Sequence, residues 1–171
     1  MTTEKFAVPG AGGILEKEIG SIRHILLQER CKAEAPAETG LLEIPAGKIR
    51  EFENIFDCLR REVREETGLE VLKIEGEKEA VVYENAGYQV LHYTPFSSAQ
   101  NLKGVYPIMV QIFICRVAGE VARKTNETRN LRWVSIAELS RDLASFPERF
   151  YPMHVETLKK YAALYGQPGP K

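Results

Sequence analysis

Three glutamates within five consecutive residues form the most distinctive chemical feature of the chain. Glu62 and Glu66 are four residues apart and Glu65 lies between them, so on a helix all three carboxylates can crowd one side. Like charges at this spacing cost about 0.2–0.5 kcal/mol per pair on an exposed helix. A divalent cation would neutralise them, and oxygen ligands in this arrangement suit Mg²⁺ or Mn²⁺. The stretch therefore predicts a metal site.

An ordinary explanation competes with this one, because solvated helix surfaces rich in glutamate and arginine are common. The wider pattern favours chemistry: Gly47, five residues, Glu53, seven residues, and then the run R-E-V-R-E-E-T-G-L at 61–69. Nine positions of this pattern are fixed in type, two of them only as aliphatic. At average residue usage, a chance match is on the order of 10⁻⁹ per starting position.

The helix that carries the glutamates is predicted by its apolar stripe. Apolar residues recur at three- and four-residue steps from Ile55 to Val63, which is the spacing of one helix face. Asn54 is suited to cap the start of this helix and Gly68 to end it. The stripe would anchor the helix to a sheet and leave the glutamates on another side.

The other elements are mostly strands. Alternating or continuous apolar runs predict them at 12–15, 22–28, 41–44, 71–74, 80–83, 88–93, 108–115 and 131–134. A capping-box pattern at Ser135 opens a helix through about Ala144. A last amphipathic helix carries Val155, Leu158 and Tyr161. The result is an α+β protein, an α/β/α sandwich of helices packed on a mixed β-sheet.

Bulk properties predict one soluble domain over residues 1–171, with a core at about 7–163 and a flexible tail at 166–171. The 23 basic and 24 acidic residues nearly balance, so a nucleic-acid partner is not expected. No apolar run approaches membrane-spanning length. The odd, widely spaced set of Cys31, Cys58 and Cys115 argues against disulfides or a zinc site and favours the cytoplasm.

Residues 47–69 resemble the Nudix box, G-x5-E-x7-R-E-U-x-E-E-x-G-U with U aliphatic, and match it at every specified position. The preceding run L-E-I-P-A-G-K at 42–48 is similar to the segment that leads into the box in ADP-sugar pyrophosphatases. Residues 127–139, which include Trp133, are similar to the usual downstream end of the family. The resemblance spans about residues 7–163.

This resemblance implies a Nudix fold, with a mixed β-sheet, the box helix and C-terminal helices. It also implies hydrolysis of a nucleoside diphosphate linked to another moiety, with Mg²⁺ or Mn²⁺ as cofactor. Residue by residue, it implies metal ligation by four groups: the carboxylates of Glu62, Glu65 and Glu66 and the backbone carbonyl of Ala46. Further roles in the box are a pair that holds the loop, Glu53 with Arg61, and two glycines, Gly47 beside the metal and Gly68 at the helix end.

The catalytic residues that the resemblance implies are Glu65, Glu66, Arg61 and Glu127. Two of them, Glu65 and Glu127, are alternative candidates for the general base, which must come within one water of the nucleophile. Candidate substrate-binding residues are Arg30, Glu43, Tyr93 and Phe96. For the two aromatic residues a packing role is an equal alternative.

The substrate is favoured to be ADP-ribose or an ADP-sugar, from the run at 42–48. The chain departs from some ADP-ribose enzymes at Asn85, where they carry a proline. Two alternatives stay open: hydrolysis of nucleoside triphosphates, and a non-catalytic module that senses a nucleotide. The subgroup resemblance also implies a homodimer.

Overall fold

One large mixed sheet organises the protein, whose computed structural model describes residues 4–33, 35–122 and 128–166. The strands are β1 Val8–Ile19, β2 Ile22–Arg30, β3 Leu42–Glu43, β4 Ala46–Lys48, β5 Glu70–Ile74, β6 Val81–Asn85, β7 Tyr88–His92, β8 Ser97–Gln100, β9 Ile108–Ala118 and β10 Thr128–Ser135. The α-helices are α1 Ile55–Thr67, α2 Ile136–Ser145 and α3 Pro152–Tyr165, and short 3-10 helices span Pro36–Glu38 and Pro147–Arg149.

The sheet is mixed because its two central strands run parallel. Its main order is β10-β2-β1-β9-β5, with β3 beside β2, β4 beside β1 and β8 beside β9. Val8 of β1 lies opposite Ile108 of β9, and the parallel register continues to Glu16 opposite Arg116. The other pairings are antiparallel. Strands β6 and β7 form a separate hairpin.

Both faces of the central strands are buried, and successive side chains alternate between two apolar clusters. Ile14 of β1 joins one cluster with α2 and α3, while the next residue, Leu15, joins the other with α1. Ile112 and Phe113 of β9 divide in the same way. Because adjacent strand residues point to opposite faces, helices cover both sides of the sheet, which confirms the predicted α/β/α sandwich.

The predicted helix with the three glutamates is confirmed as α1. The Asn54 side chain accepts a hydrogen bond of 2.9 Å from the backbone N–H of Phe56, and Gly68 ends the helix at a φ of 76°. That left-handed conformation favours glycine because it has no Cβ. Leu59 and Val63 are fully buried against the sheet, so the apolar stripe fixes which side of α1 faces away from the core.

Two strands were absent from the sequence-based prediction. Strand β4 has only three residues, and β8 reads Ser-Ser-Ala-Gln, so neither has the apolar alternation that identifies a strand. Both exist because they pair with long buried strands, β4 with β1 and β8 with β9. In the predicted tail, Gly166 caps α3, whereas residues 167–171 lie outside the described residues. None of the described helices is both long and apolar enough to span a membrane.

Candidate active site

A cavity of about 320 Å³ opens beside the N-terminal residues of β9, between the segment before α1 and the start of α3. Its polar wall consists of Arg30, Lys32, Glu43, Lys48, Glu62 and His154, with Ala46 and Gly47 between them. Its apolar wall consists of Tyr106, Ile108, Val110, Tyr151 and Met153. Convergent charges next to an apolar surface, in a concave site of this size, are typical of a small-molecule pocket.

Glu62 lies directly against the backbone of Gly47. A Cβ atom built on Gly47 would lie 1.8 Å from the carboxyl carbon of Glu62, well inside the contact distance of real atoms. The Glu62 side chain is only 14% exposed and also bonds to the guanidinium of Arg61. Gly47 is therefore needed to let a carboxylate from α1 approach the loop. Its predicted position beside a metal stays a prediction.

Glu66 is buried just behind the wall of the cavity, with a side chain only 4% exposed. Its Oε2 atom accepts hydrogen bonds from Gln28 Nε2 at 2.8 Å and from the backbone N–H of Ala46 at 3.2 Å. Its Oε1 atom lies 3.5 Å from the ammonium of Lys32. Burial, together with the neighbouring charges of Glu43 and Glu62, raises the pKa of Glu66 to about 7 in spite of Lys32 and Gln28.

Glu65 does not line this cavity. Its side chain is 56% exposed, and its carboxylate lies 3.4 Å from Arg61 Nη1, the atom that also contacts Glu62. Among the residues that the structure describes, no group of three or more acidic, histidine or cysteine side chains is arranged to hold a metal ion. Glu62 and Glu66 thus lie against the loop at 46–47, whereas Glu65 is linked to Glu62 through Arg61 Nη1.

Arg61 and Glu53 form the pair that the family resemblance implied, and the pair is bidentate. Arg61 Nε donates to Glu53 Oε1 and Arg61 Nη2 to Glu53 Oε2, both at 2.8 Å. Arg61 Nη2 also donates to the carbonyl of Lys48 at 3.2 Å. These bonds from Arg61, with another from the backbone of Arg50, hold the pKa of Glu53 at about 2. The pair ties the loop before α1 to the helix, so it sets the position of Gly47.

Comparisons with known proteins agree with this geometry. The family model described as the NUDIX domain matches residues 8–154. The chain belongs to the Nudix family. This confirms the resemblance drawn from residues 47–69, and with it the prediction of an enzyme of the pyrophosphohydrolase class. A search of curated proteins finds no match.

Solved structures show the same fold at low identity. A MutT protein from Methanosarcina mazei Go1 is 18% identical, with 97% of this chain and 100% of that chain covered and a TM-score of 0.62. The NUDIX domain of Shewanella oneidensis NrtR, complexed with ADP ribose, is 14% identical, with 96% and 91% covered and a TM-score of 0.63. A C. elegans Ap4A hydrolase binary complex is 15% identical, with 94% and 98% covered and a TM-score of 0.55.

Nudix hydrolases generally use divalent cations, and the donors around the Nudix box loop fit such an ion. The carboxylates of Glu62 and Glu66 and the carbonyl of Ala46 are oxygen ligands, the kind that Mg²⁺ and Mn²⁺ prefer. Glu66 is also a buried carboxylate whose ionised form is disfavoured by its surroundings. A cation would reverse that preference.

Arg30 and Glu43 line the cavity but are engaged with each other. Arg30 Nη1 donates to Glu43 at 2.8 Å and Arg30 Nε to Glu38 at 2.7 Å, and the guanidinium stacks 4.3 Å from the ring centre of Tyr151. Burial raises the pKa of Glu43 in spite of this arginine. Two of the three guanidinium nitrogens of Arg30 are therefore bonded to carboxylates.

Tyr93 and Phe96 do not line the cavity. Tyr93 packs on Phe56 and Phe113 in the cluster beneath α1, and Phe96 packs edge-on against Tyr161 of α3. Their side chains take the packing role that was the alternative interpretation of the sequence. Glu127, the other predicted loop residue, lies outside the described residues.

Three pocket residues, Tyr106, Tyr151 and Lys48, were not among the site residues predicted from the sequence. Tyr106 comes just before β9, and the parallel pairing of β9 with β1 brings it to Lys48, whose ammonium lies 5.5 Å from the ring centre. Tyr151 reaches the pocket because its backbone N–H donates to the carbonyl of Leu42 at 2.8 Å. These contacts join segments far apart in the chain, so no local pattern predicts them; Lys48 alone had a signal, as the last residue of the run at 42–48.

His154 completes the floor of the cavity in its neutral form. Its Nδ1 atom accepts a hydrogen bond of 3.3 Å from the backbone N–H of Ile44. Burial, aided by the positive charges of Arg30 and Lys32, lowers the pKa of His154 to about 3. The ring therefore carries its proton on Nε2 and holds β3 against the start of α3.

Proposed function

We propose that this protein hydrolyses the pyrophosphate bond of a nucleoside diphosphate linked to another group, with ADP-ribose or an ADP-sugar as the favoured substrate. The products would be a nucleoside monophosphate and the phosphorylated partner group. One observation carries the proposal: Glu62 and the Ala46–Gly47 backbone form part of the wall of a cavity that has the charges and the rings such a substrate requires.

The polar wall suits a diphosphate. Lys32, Lys48 and Arg30 all line the cavity. The ammonium groups of the two lysines can attract phosphate oxygens, whereas Arg30 is already bonded to Glu38 and Glu43. Glu62 and Ala46 line the same cavity, and their oxygen atoms would be ligands of the kind that a divalent cation prefers. Neutralising the diphosphate is the main requirement of phosphoryl chemistry, because the charge spreads over its oxygens in the transition state.

The apolar wall suits a planar ring. Tyr106 and Tyr151 both line the cavity, with Ile108 and Met153 near them. Aromatic side chains stack on nucleobases with little dependence on the base. The ammonium of Lys48 lies 5.5 Å from the ring centre of Tyr106, so a base stacked on that ring would have its diphosphate close to a positive charge.

The box glutamates would act through a divalent cation. Glu62, Glu65, Glu66 and the Ala46 carbonyl would hold Mg²⁺ or Mn²⁺, which supplies Lewis-acid stabilisation of the phosphate and activation of water. Arg61 would keep Glu62 and the loop in place through its bonds to Glu53 and the Lys48 carbonyl. Glu65 and Glu127 are the two candidates for the general base. Parallel glutamine variants of the two distinguish them, because loss of the base lowers kcat by about 10²–10⁴-fold.

A substrate panel tests the proposal. The pure protein is incubated with Mg²⁺ and ADP-ribose, an ADP-hexose, a diadenosine polyphosphate and the nucleoside triphosphates, and products are identified by mass. We expect AMP and ribose 5-phosphate from ADP-ribose, and no products from the matched Glu66→Gln variant. If only the nucleoside triphosphates are cleaved, they are the substrates and ADP-ribose is not. If a panel member raises the melting temperature of the protein but is not cleaved, the protein is a nucleotide sensor and not an enzyme.

A further inference from the structure

Gln28 has an unusual position for an uncharged amide. It is fully buried in β2, directly opposite Glu43 in the pairing of β2 with β3. Its Nε2 atom donates to Glu66 Oε2 at 2.8 Å and lies 3.4 Å from Glu43 Oε1. One amide group thus joins a carboxylate of the Nudix box to a carboxylate of the cavity wall.

The orientation of this amide is fixed by its neighbours. Both groups near Nε2 are carboxylates, which accept hydrogen bonds, so the NH₂ end must face them and the carbonyl end must point elsewhere. Gln28 Oε1 is buried and accepts no hydrogen bond from the residues that the structure describes. A buried acceptor without a donor lowers stability. The Nε2 end of the amide, in contrast, donates to buried carboxylates, which indicates that the purpose of Gln28 lies at that end.

That purpose is visible at Glu66. Its Oε2 atom takes two hydrogen bonds, one from Gln28 and one from the backbone N–H of Ala46. Two donors on one oxygen fix the plane of the carboxylate and direct its other oxygen, Oε1, to the side of Lys32. Without Gln28, Oε2 would keep the longer bond from the backbone of Ala46, at 3.2 Å, and would lose the shorter one.

We propose that Gln28 is a positioning residue, which holds the Glu66 carboxylate in the orientation required to bind the divalent cation. This inference rests on the proposed function, since it assigns Gln28 to the metal site of that reaction. Hydrogen-bond partners of metal ligands orient those ligands, and removing one typically costs about 10–100-fold in metal affinity or activity. Gln28 reaches the cation only through Glu66.

The test measures Mn²⁺ binding without substrate. Gln28→Met keeps the length of the side chain but removes both donors, and Gln28→Leu removes them with a different shape. By titration calorimetry at pH 7.5, we expect both variants to bind Mn²⁺ about 10–100-fold more weakly than wild type. With the best substrate of the panel, kcat at a fixed Mn²⁺ concentration should fall while KM for the substrate stays within about threefold, because Gln28 does not line the cavity.

Gln89 provides a matched control. Its Nε2 atom donates to Glu84 at 2.5 Å on the exposed β6–β7 hairpin, so Gln89→Met removes the same kind of amide–carboxylate bond away from the site. Its Mn²⁺ affinity should equal that of wild type. Wild-type affinity in folded Gln28→Met and Gln28→Leu would overturn the inference, and so would failure of both variants to fold, since the amide would then serve the fold.

The experiments distinguish a failure of the inference about Gln28 from a failure of the proposed function. If wild type binds Mn²⁺ and both Gln28 variants bind it more weakly, the inference stands even if no panel member is hydrolysed. If wild type hydrolyses its substrate and the Gln28 variants bind Mn²⁺ normally, the inference fails and the proposed function stands.

Discussion

Because Glu66 is buried, the free energy of unfolding of the metal-free protein should depend on pH in a way that can be calculated. Its pKa is about 7 in the folded protein and 4.5 for a free carboxyl, so between these values the folded state binds more protons than the unfolded state. Stability therefore decreases as the pH rises from about 4.5 to 7 and then levels off. Glu66→Gln cannot ionise and escapes this decrease. From pH 5 to pH 8, the variant should gain about 2–3 kcal/mol of unfolding free energy relative to wild type.

Urea unfolding in EDTA at pH 5, 6, 7 and 8, followed by the fluorescence of the single tryptophan, Trp133, measures this gain. Contact changes that do not depend on pH cancel in the comparison between pH values. Glu65→Gln is the control, because it removes a carboxylate from the same helix turn at a side chain that is mostly exposed. A difference between Glu66→Gln and wild type that is flat from pH 5 to pH 8 would refute the burial argument.

The same variant should lose activity while it gains stability at alkaline pH. In Mg²⁺, Glu66→Gln should hydrolyse the substrate more than about 100-fold more slowly, since removing a ligand should exceed the effect of removing a partner of one. A loss of activity together with a gain of stability identifies a functional carboxylate, because replacing a structural residue would lower both activity and stability. Near-wild-type turnover would mean that the metal site lies elsewhere.

Three further predictions concern the loop and the cavity. Gly47→Ala should displace Glu62, because a Cβ would lie 1.8 Å from its carboxyl carbon, and should lower kcat/KM at least about 10-fold, measured by steady-state kinetics. The stability of Glu53→Gln should depend less on acid than that of wild type. Bonds from Arg61 hold the pKa of Glu53 at about 2, so the stability that this carboxylate contributes is present above about pH 4.5 and is lost towards pH 2. Acid titration followed by circular dichroism measures the difference. Tyr106→Ala should raise KM for ADP-ribose about 10-fold with little change in kcat, as expected if its ring stacks on the base; an unchanged KM would remove Tyr106 from the substrate site.

The box helix and its loop could be predicted in detail because the information is local. The cap at Asn54, the end at Gly68 and the apolar stripe lie within one segment. The Glu53–Arg61 pair bonds as the family resemblance implied. The buried strands were equally predictable from continuous apolar runs. Strand β8 was not, since its four residues depend on hydrogen bonds to β9 rather than on any pattern of their own.

The cavity could be predicted only in part, because contacts between distant segments of the chain form much of it. Tyr106 and Tyr151 reach it through strand pairing and one backbone hydrogen bond between distant segments. The orientations of Glu62, Glu65 and Glu66 also depend on tertiary partners: Gln28 and Ala46 hold Glu66 in the interior, while Arg61 lies next to both Glu62 and Glu65. Spacing on a helix gives the side on which carboxylates lie, whereas the donors around them decide where each one points.

Cation binding should depend on pH through Glu66, because a proton and Mg²⁺ compete for the same carboxylate. With a pKa of about 7, Glu66 is about nine-tenths ionised at pH 8 and about one-tenth ionised at pH 6, so the apparent Mg²⁺ affinity should fall about tenfold between them. At a saturating Mg²⁺ concentration this lowers the stabilisation by about 1.4 kcal/mol. Urea unfolding with Mg²⁺ and with EDTA at both pH values measures it, and Glu66→Gln should show little Mg²⁺ stabilisation at either. Equal stabilisation of wild type at pH 6 and pH 8 would show that Glu66 does not bind the cation.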